Sequence, residues 1–356
     1  MTGNRIDSIV DAGHGSFPKG AHVIRATGKY VVPGLWDMHV HLRAEDLPLL
    51  VAYGVTGVRD MGNKLADVDS WRAMIADGTL IGPDIFRVGP ILNGQVFGPT
   101  HVEIRNEAEA RAAVRVLKHA GVDAIKLHNM LSRDAYVGLS DEAKKLGIPF
   151  VGHIPQTMTA QEASAAGQAS IEHIQSLFET ASPLKAEDAP ALFEQFVKND
   201  NAVTPTLINY RGSADPANID PEVLKKYPDI PAGRQQIFKQ FVQLLGVMNT
   251  SGVTLMTGSD LGSKWISPGA SLHDELEIFV EAGLTPMQAL QAATRTPARF
   301  LHTESGTLEP GKAANLVLLD ANPLDDIRNT RKISAVIFHG RLLDKPQLQQ
   351  LLDKPH

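Results

Sequence analysis

A chain of 356 residues with no cysteine and a net charge of −6 holds neither a disulfide nor a thiolate metal site. Any metal must be taken by histidine, carboxylate or something rarer. The length suits one large α/β barrel or two ordinary domains and needs no covalent staples. Mild acidity without a block of basic residues argues against nucleic acid and anionic membrane as partners.

Residues 1–10 lack the apolar core of a signal peptide, and no apolar run reaches transmembrane length. Short β-like pieces follow in the opening 30 residues, Ile6 to Val10 and His22 to Thr27, set apart by Gly and Pro. The same texture returns near the end in Ala314 to Asp320 and Ser334 to Gly340. This predicts a small β subdomain built from both chain ends, residues 1–34 and 305–343, around a barrel over 35–304. The remaining tail, 344–356, is Leu- and Gln-rich and is expected to be helical.

Between the ends, the stretch from Val31 to Leu42 closes on His39-Val40-His41. Histidines at i and i+2 on a strand point to one face, which makes half of a metal site. Seven further apolar runs read as buried parallel strands: 54–60, 84–89, 122–128, 147–153, 168–173, 202–207 and 253–260. Helical segments separate them. Residues 107–121 close on Gly121 and residues 133–147 on Gly147, while Thr285-Pro286-Met287-Gln288 opens a helix as a capping box. Eight strands alternating with helices, and no Gly-rich phosphate loop after an early strand, predict an α/β protein with a closed (β/α)8 TIM barrel.

In such a barrel the C-terminal ends of the strands carry the chemistry. The polar residues there are His39 and His41, Lys126, His153, His173 and Asp260. Each has a plain structural alternative: a hydrogen-bonded histidine at 153, a Glu172-His173 capping pair, an N-cap at Asp260, a salt-bridged lysine at 126. Their coincidence at one end of successive strands points instead to a metal site. Lysine is rarely buried unless paired, and an ammonium beside divalent cations would be repelled. A Lys126 carbamate would be an anion able to bridge two of them.

These residues in this order resemble the amidohydrolase superfamily, most closely the subgroup of imidazolonepropionase-like and Xaa-Pro dipeptidase-like members. The Pro-Gly-Leu-Trp-Asp-Met-His-Val-His entry, the Ile-Lys-Leu, Gly-His and Ile-Glu-His strands, and the closing segment from Ser305 to Ile327 all fit. The resemblance implies that His39, His41 and Asp260 hold one divalent ion and His153 and His173 a second. Carboxylated Lys126 and a hydroxide would bridge the two ions, with zinc the expected metal. It further implies attack of that hydroxide on an amide of a dipeptide or N-acyl amino acid, with Asp260 as general base and then acid. Cyclic-amide hydrolysis or deamination, lactone or ester hydrolysis, and an inactive barrel serving assembly are the alternatives.

Dipeptidase-like relatives grip a free carboxylate with a cation or phenol, for which Tyr210 and Arg211, on an expected loop after the seventh strand, are candidates. His101 and His128 are candidates for orienting a carbonyl. Residues 93–101 read Asn-Gly-Gln-Val-Phe-Gly-Pro-Thr-His, where relatives often carry Gly-Gly-His-Gly. Relatives' first strands also begin before the residue matching Ile6, which implies a missing N-terminal piece. The expected setting is the cytoplasm, or the periplasm or exterior if a leader has been removed. The expected partner is a small amide or peptide, in a homo-oligomer by analogy with relatives.

Overall fold

Buried apolar runs punctuated by helix caps set the architecture. The computed structural model describes residues 1–11 and 19–353; residues 12–18 and 354–356, parts of the two predicted terminal segments, lie outside the described residues. Eight strands form the (β/α)8 barrel: β1 (Leu35–Val40), β2 (Val55–Asp60), β3 (Asp84–Arg87), β4 (Ile125–Leu127), β5 (Phe150–Gly152), β6 (Ser170–Glu172), β7 (Ala202–Thr204) and β8 (Thr254–Leu255). β1 to β3 pair in parallel, as do β4 to β8. Past β3 the chain turns at Gly89-Pro90 and re-enters as Ile91–Asn93, which pairs with β4. The ring closes between β8 and β1: the Met38 N–H donates to Thr257 O at 2.9 Å and the His41 N–H to Leu261 O at 2.7 Å.

Outward-facing Ile125, Leu127, Phe150, Ile171 and Val203 meet the helices in the main core. The predicted Thr285–Gln288 capping box is complete. Asn106 and Ser132, caps that the sequence reading did not include, accept the backbone N–H of Glu109 and Ala135 at the starts of Glu107–His119 and Arg133–Lys145. Gly121 and Gly147 follow the two helices with φ of 71° and 59°, the left-handed turn that ends a helix. Among the described residues no helix is long and apolar enough to cross a membrane.

A four-stranded antiparallel sheet joins Tyr30–Pro33 to Leu316–Leu319, Ile333–Phe338 and Arg341–Asp344. Residues 6–10 and 22–27, read above as β-like, form no strand. Ile6 alone of the first piece is buried, its N–H bonded to Lys312 O at 2.9 Å, and residues 7–10 after it are exposed. The tail is helical over Lys345–Leu352, with Leu348 and Leu351 packed on Val51 and Ala52.

Candidate metal centre

Each predicted metal ligand lies in or just past the C-terminal part of a barrel strand, and the local backbone is specialised to place it there. Gly152, at φ 133°, leaves room where a Cβ would lie 2.1 Å from Leu127 O, so β5 can pass β4 and present His153. Gly258 does the same beside β1: a Cβ there would sit 2.5 Å from Thr204 Cγ2 and 2.9 Å from His39 Cβ. His173, Thr206 and Asp260 all adopt positive φ, at 64°, 52° and 60°. Non-glycine residues seldom do so, and the cost is of order 1–3 kcal/mol each. Three such residues at one end of one barrel mark where folding is subordinate to the site.

The histidines form a continuous cluster. Ring centroids are 5.5 Å apart for His39 and His41, 4.5 Å for His39 and His173, and 4.7 Å for His153 and His173. Ligand atoms of His39, His173 and Asp260 lie within 4.8 Å of one another. Asp260 Oδ1 is 3.7 Å from His39 Nε2 and 3.8 Å from His41 Nε2. Lys126 enters from β4 with only 1 % exposure.

Hydrogen bonds aim these donors. His39 Nδ1 donates to Glu172 Oε2 at 2.9 Å, which leaves Nε2 facing the cluster. The Thr206 hydroxyl gives its proton to Pro205 O, so it accepts from His173 Nδ1 at 2.7 Å and frees that ring's Nε2 as well. The Asp37 carboxylate accepts from Ser259 N–H and O–H and from His39 N–H, tying β1 to the β8 loop. Asn209 Nδ2 donates to Asp260 Oδ2, and Trp265 Nε1 holds Asn209 Oδ1 at 2.6 Å.

Burial sets the protonation states. It pushes His41, His173 and His128 down to about 4, and His39 and His153 well below the ordinary histidine value. Repulsion from Lys126 and from neighbouring imidazoles works in the same direction. The rings are therefore neutral at neutral pH, the form that binds metal. Burial likewise lowers Lys126 to about 8. Among the described residues His39 Nε2, His153 Nδ1 and Lys126 Nζ are buried without a hydrogen-bond partner. Unsatisfied buried polar atoms cost about 1–3 kcal/mol each. Neutral imidazoles and a carboxylate fit divalent metal of the borderline kind, and the lowered Lys126 loses its proton more readily than an ordinary lysine.

Beneath the cluster lies a charged network that the sequence reading did not include. Arg59, fully buried in β2, donates to Met38 O at 2.7 Å, Ser170 Oγ at 2.8 Å and Glu172 Oε1 at 2.7 Å. Glu172 thus holds Arg59 with one oxygen and His39 with the other. The available signal was an arginine at the end of the β-like run Gly54 to Val58.

A cavity of about 720 Å³ opens beside the cluster, with His153, His173 and Asp260 at its inner end. Tyr210 lines it. Arg211 is outside it, its guanidinium 3.2 Å from Asp274. Both lie on a helix, Leu207–Ala214, rather than the expected loop. Buried Glu275 accepts the Leu207 and Ile208 N–H groups at 3.0 and 2.7 Å, which satisfies the first turn of that helix. Burial raises this carboxyl to about 8. His101 and His128 sit together on the other side, centroids 5.8 Å apart, with His128 4.0 Å from His153.

A closed (β/α)8 barrel with histidines, a carboxylate and a buried lysine at its C-terminal mouth defines a metal-dependent hydrolase class. The amidohydrolase family model matches residues 47–343, and the chain belongs to that family, a hydrolase of carbon–nitrogen bonds. Ochratoxinase from Aspergillus niger is 22 % identical over 375 aligned positions, covering 86 % of this chain and 73 % of its own. Among solved structures, a candidate prolidase from Bifidobacterium longum superposes with a TM-score of 0.81 at 27 % identity, over 99 % of this chain and 91 % of that one. A Xaa-Pro dipeptidase with bound methionine in its active site shares the fold, with a TM-score of 0.78 at 23 % identity over 96 % and 93 % of the two chains.

Proposed function

We propose that the protein is a binuclear metal-dependent amidohydrolase that cleaves an amide bond of a dipeptide or N-acyl amino acid. The observation carrying this reading is the convergence of His39, His173 and Asp260 ligand atoms within 4.8 Å beside a buried, unpartnered Lys126 amine. In this reading His39, His41 and Asp260 would hold one ion, and His153 and His173 the other. Lys126 would serve both as a carbamate, its amine having added to carbon dioxide with loss of one proton. Divalent metal supplies Lewis acidity, bringing water toward ionisation at neutral pH and polarising a carbonyl.

The remaining work falls to the chain itself. Asp260 takes a proton from the attacking water and returns it to the departing nitrogen. Asn209 fixes the other Asp260 oxygen and so the direction of that transfer. Glu172 and Thr206 hold His39 and His173 in the tautomers that leave Nε2 free. The name of the Bifidobacterium relative, and its coverage of nearly the whole chain, supports a dipeptide-sized substrate.

The test is product identity by mass spectrometry after incubating metal-loaded protein with dipeptides, N-acyl amino acids, lactones and cyclic amidines, beside a chelator-stripped control. Chelator-sensitive release of an acid and an amino acid is expected. Ammonia or a ring-opened product would transfer the protein to cyclic-amide chemistry. Lys126→Ala is expected to lower bound metal from two ions per chain to one or none, with partial return of activity on adding short carboxylic acids. Two ions retained in that variant would remove the bridging role.

A further inference from the structure

The cavity wall carries a pattern that metal ligation does not require. Arg234, Ile237 and Phe241 recur at i, i+3 and i+7 on the long helix Ile230–Thr250 and all line the cavity, one helical stripe turned to the site. Phe241 stacks on Phe178 at a centroid distance of 5.6 Å and meets Tyr210 edge-on at 5.0 Å. Phe178 and Ile237 remain 36 % and 46 % exposed beside this wall, a water-facing apolar surface at the mouth of a site.

The charges on the wall are uneven. Among the described residues Arg234 pairs with no carboxylate, and its Nη1 donates only to Ser213 O at 2.8 Å. Arg211, by contrast, is ion-paired with Asp274, which also holds Arg331. Glu179 also lines the cavity, held by the Gln175 amide, and it repels any anion placed on its side. An anionic group entering the cavity is therefore drawn to Arg234, whose planar fork suits a carboxylate.

We propose that this pocket selects amides bearing a bulky aromatic or branched apolar group and a free carboxylate on the same half of the molecule. The apolar group lies against Phe178, Tyr210 and Phe241, and the carboxylate pairs with Arg234. This deepens the amide-hydrolase reading and rests on it for the position of the scissile bond. Arg234 and Phe178 are then specificity-determining residues.

Titration calorimetry on the full chain stripped of metal by chelator, with N-acetyl-L-phenylalanine, its primary amide and N-acetylglycine, isolates the two contacts without turnover. N-acetyl-L-phenylalanine is expected to bind at least about tenfold tighter than either of the others, since one good contact of 1.4 kcal/mol is a factor of ten. Arg234→Met should erase the preference for acid over amide and leave the affinity for the amide unchanged. Arg234→Lys should restore part of it. Phe178→Ala, at a partly exposed position, should instead collapse the preference for phenylalanine over glycine. Equal binding of acid and amide by wild type, or an unchanged preference in Arg234→Met, overturns the proposal. The kcat/KM values on matching amides separate the two readings. Turnover without discrimination sinks the pocket and keeps amide hydrolysis. Discrimination without turnover of any amide keeps the pocket and sinks amide hydrolysis.

Discussion

Asp260→Asn is expected to leave the barrel folded and to lower kcat by roughly 10³-fold or more, the scale of a lost general acid–base and about 4 kcal/mol of barrier. Asparagine is one of the few residues that tolerates the positive φ of 60° found at this position. The Asp260 N–H bond to His39 O, which helps close the barrel, is a backbone contact and survives the change. What is lost is a carboxylate able to accept a proton beside His39 and His41. Measured side by side, the melting temperature should move little while kcat falls and KM stays within a few-fold. Turnover near wild type with full metal content would show that Asp260 moves no proton in the rate-limiting chemistry.

The fold was legible because barrel strands buried on both faces read as short apolar runs, and because Gly121, Gly147 and the Thr285 box mark helix ends with their own chemistry. Lys126 could be singled out for the same reason, a cation inside an apolar run. Other features depend on partners far away in sequence. Arg59 and Glu172 are 113 positions apart, with |i−j| of 113 for their hydrogen bond, and each alone passes for a surface charge. The helix bearing Tyr210 was read as a loop because Glu275, which satisfies its first N–H groups, lies 67 and 68 positions downstream of the residues it binds. Residues 22–27 have strand composition but pair with no strand among the described residues, so propensity without a partner gave the wrong reading. Arg234 lies outside every strand end, where attention to the barrel mouth does not reach; only the stripe through Ile237 and Phe241 could have pointed to it.

Arg59→Met tests whether the site rests on its buried charges. Arg59 and Glu172 are both fully buried, 2.7 Å apart. Removing the guanidinium leaves the Glu172 carboxylate with His39 Nδ1–H and the Ser170 hydroxyl as hydrogen-bond partners and without its ion-pair partner. Breaking a buried pair from one side costs about 3–5 kcal/mol. With about 2.1 cal/mol/K of unfolding entropy per residue, that corresponds to a fall in Tm of roughly 4–7 °C for this chain. The double variant Arg59→Met with Glu172→Gln should recover much of the loss, because no uncompensated charge then remains. Stability and function should separate in that double variant. His39 would face an amide in place of a carboxylate, and loss of such a supporting partner typically weakens metal affinity by about 10–100-fold. Calorimetric melting of the chelated proteins and metal titration of the same set read the two effects independently. A single variant that melts within about 1 °C of wild type would mean that Glu172 protonates or rehydrates when Arg59 is removed. The pair would then contribute orientation of His39 rather than stability.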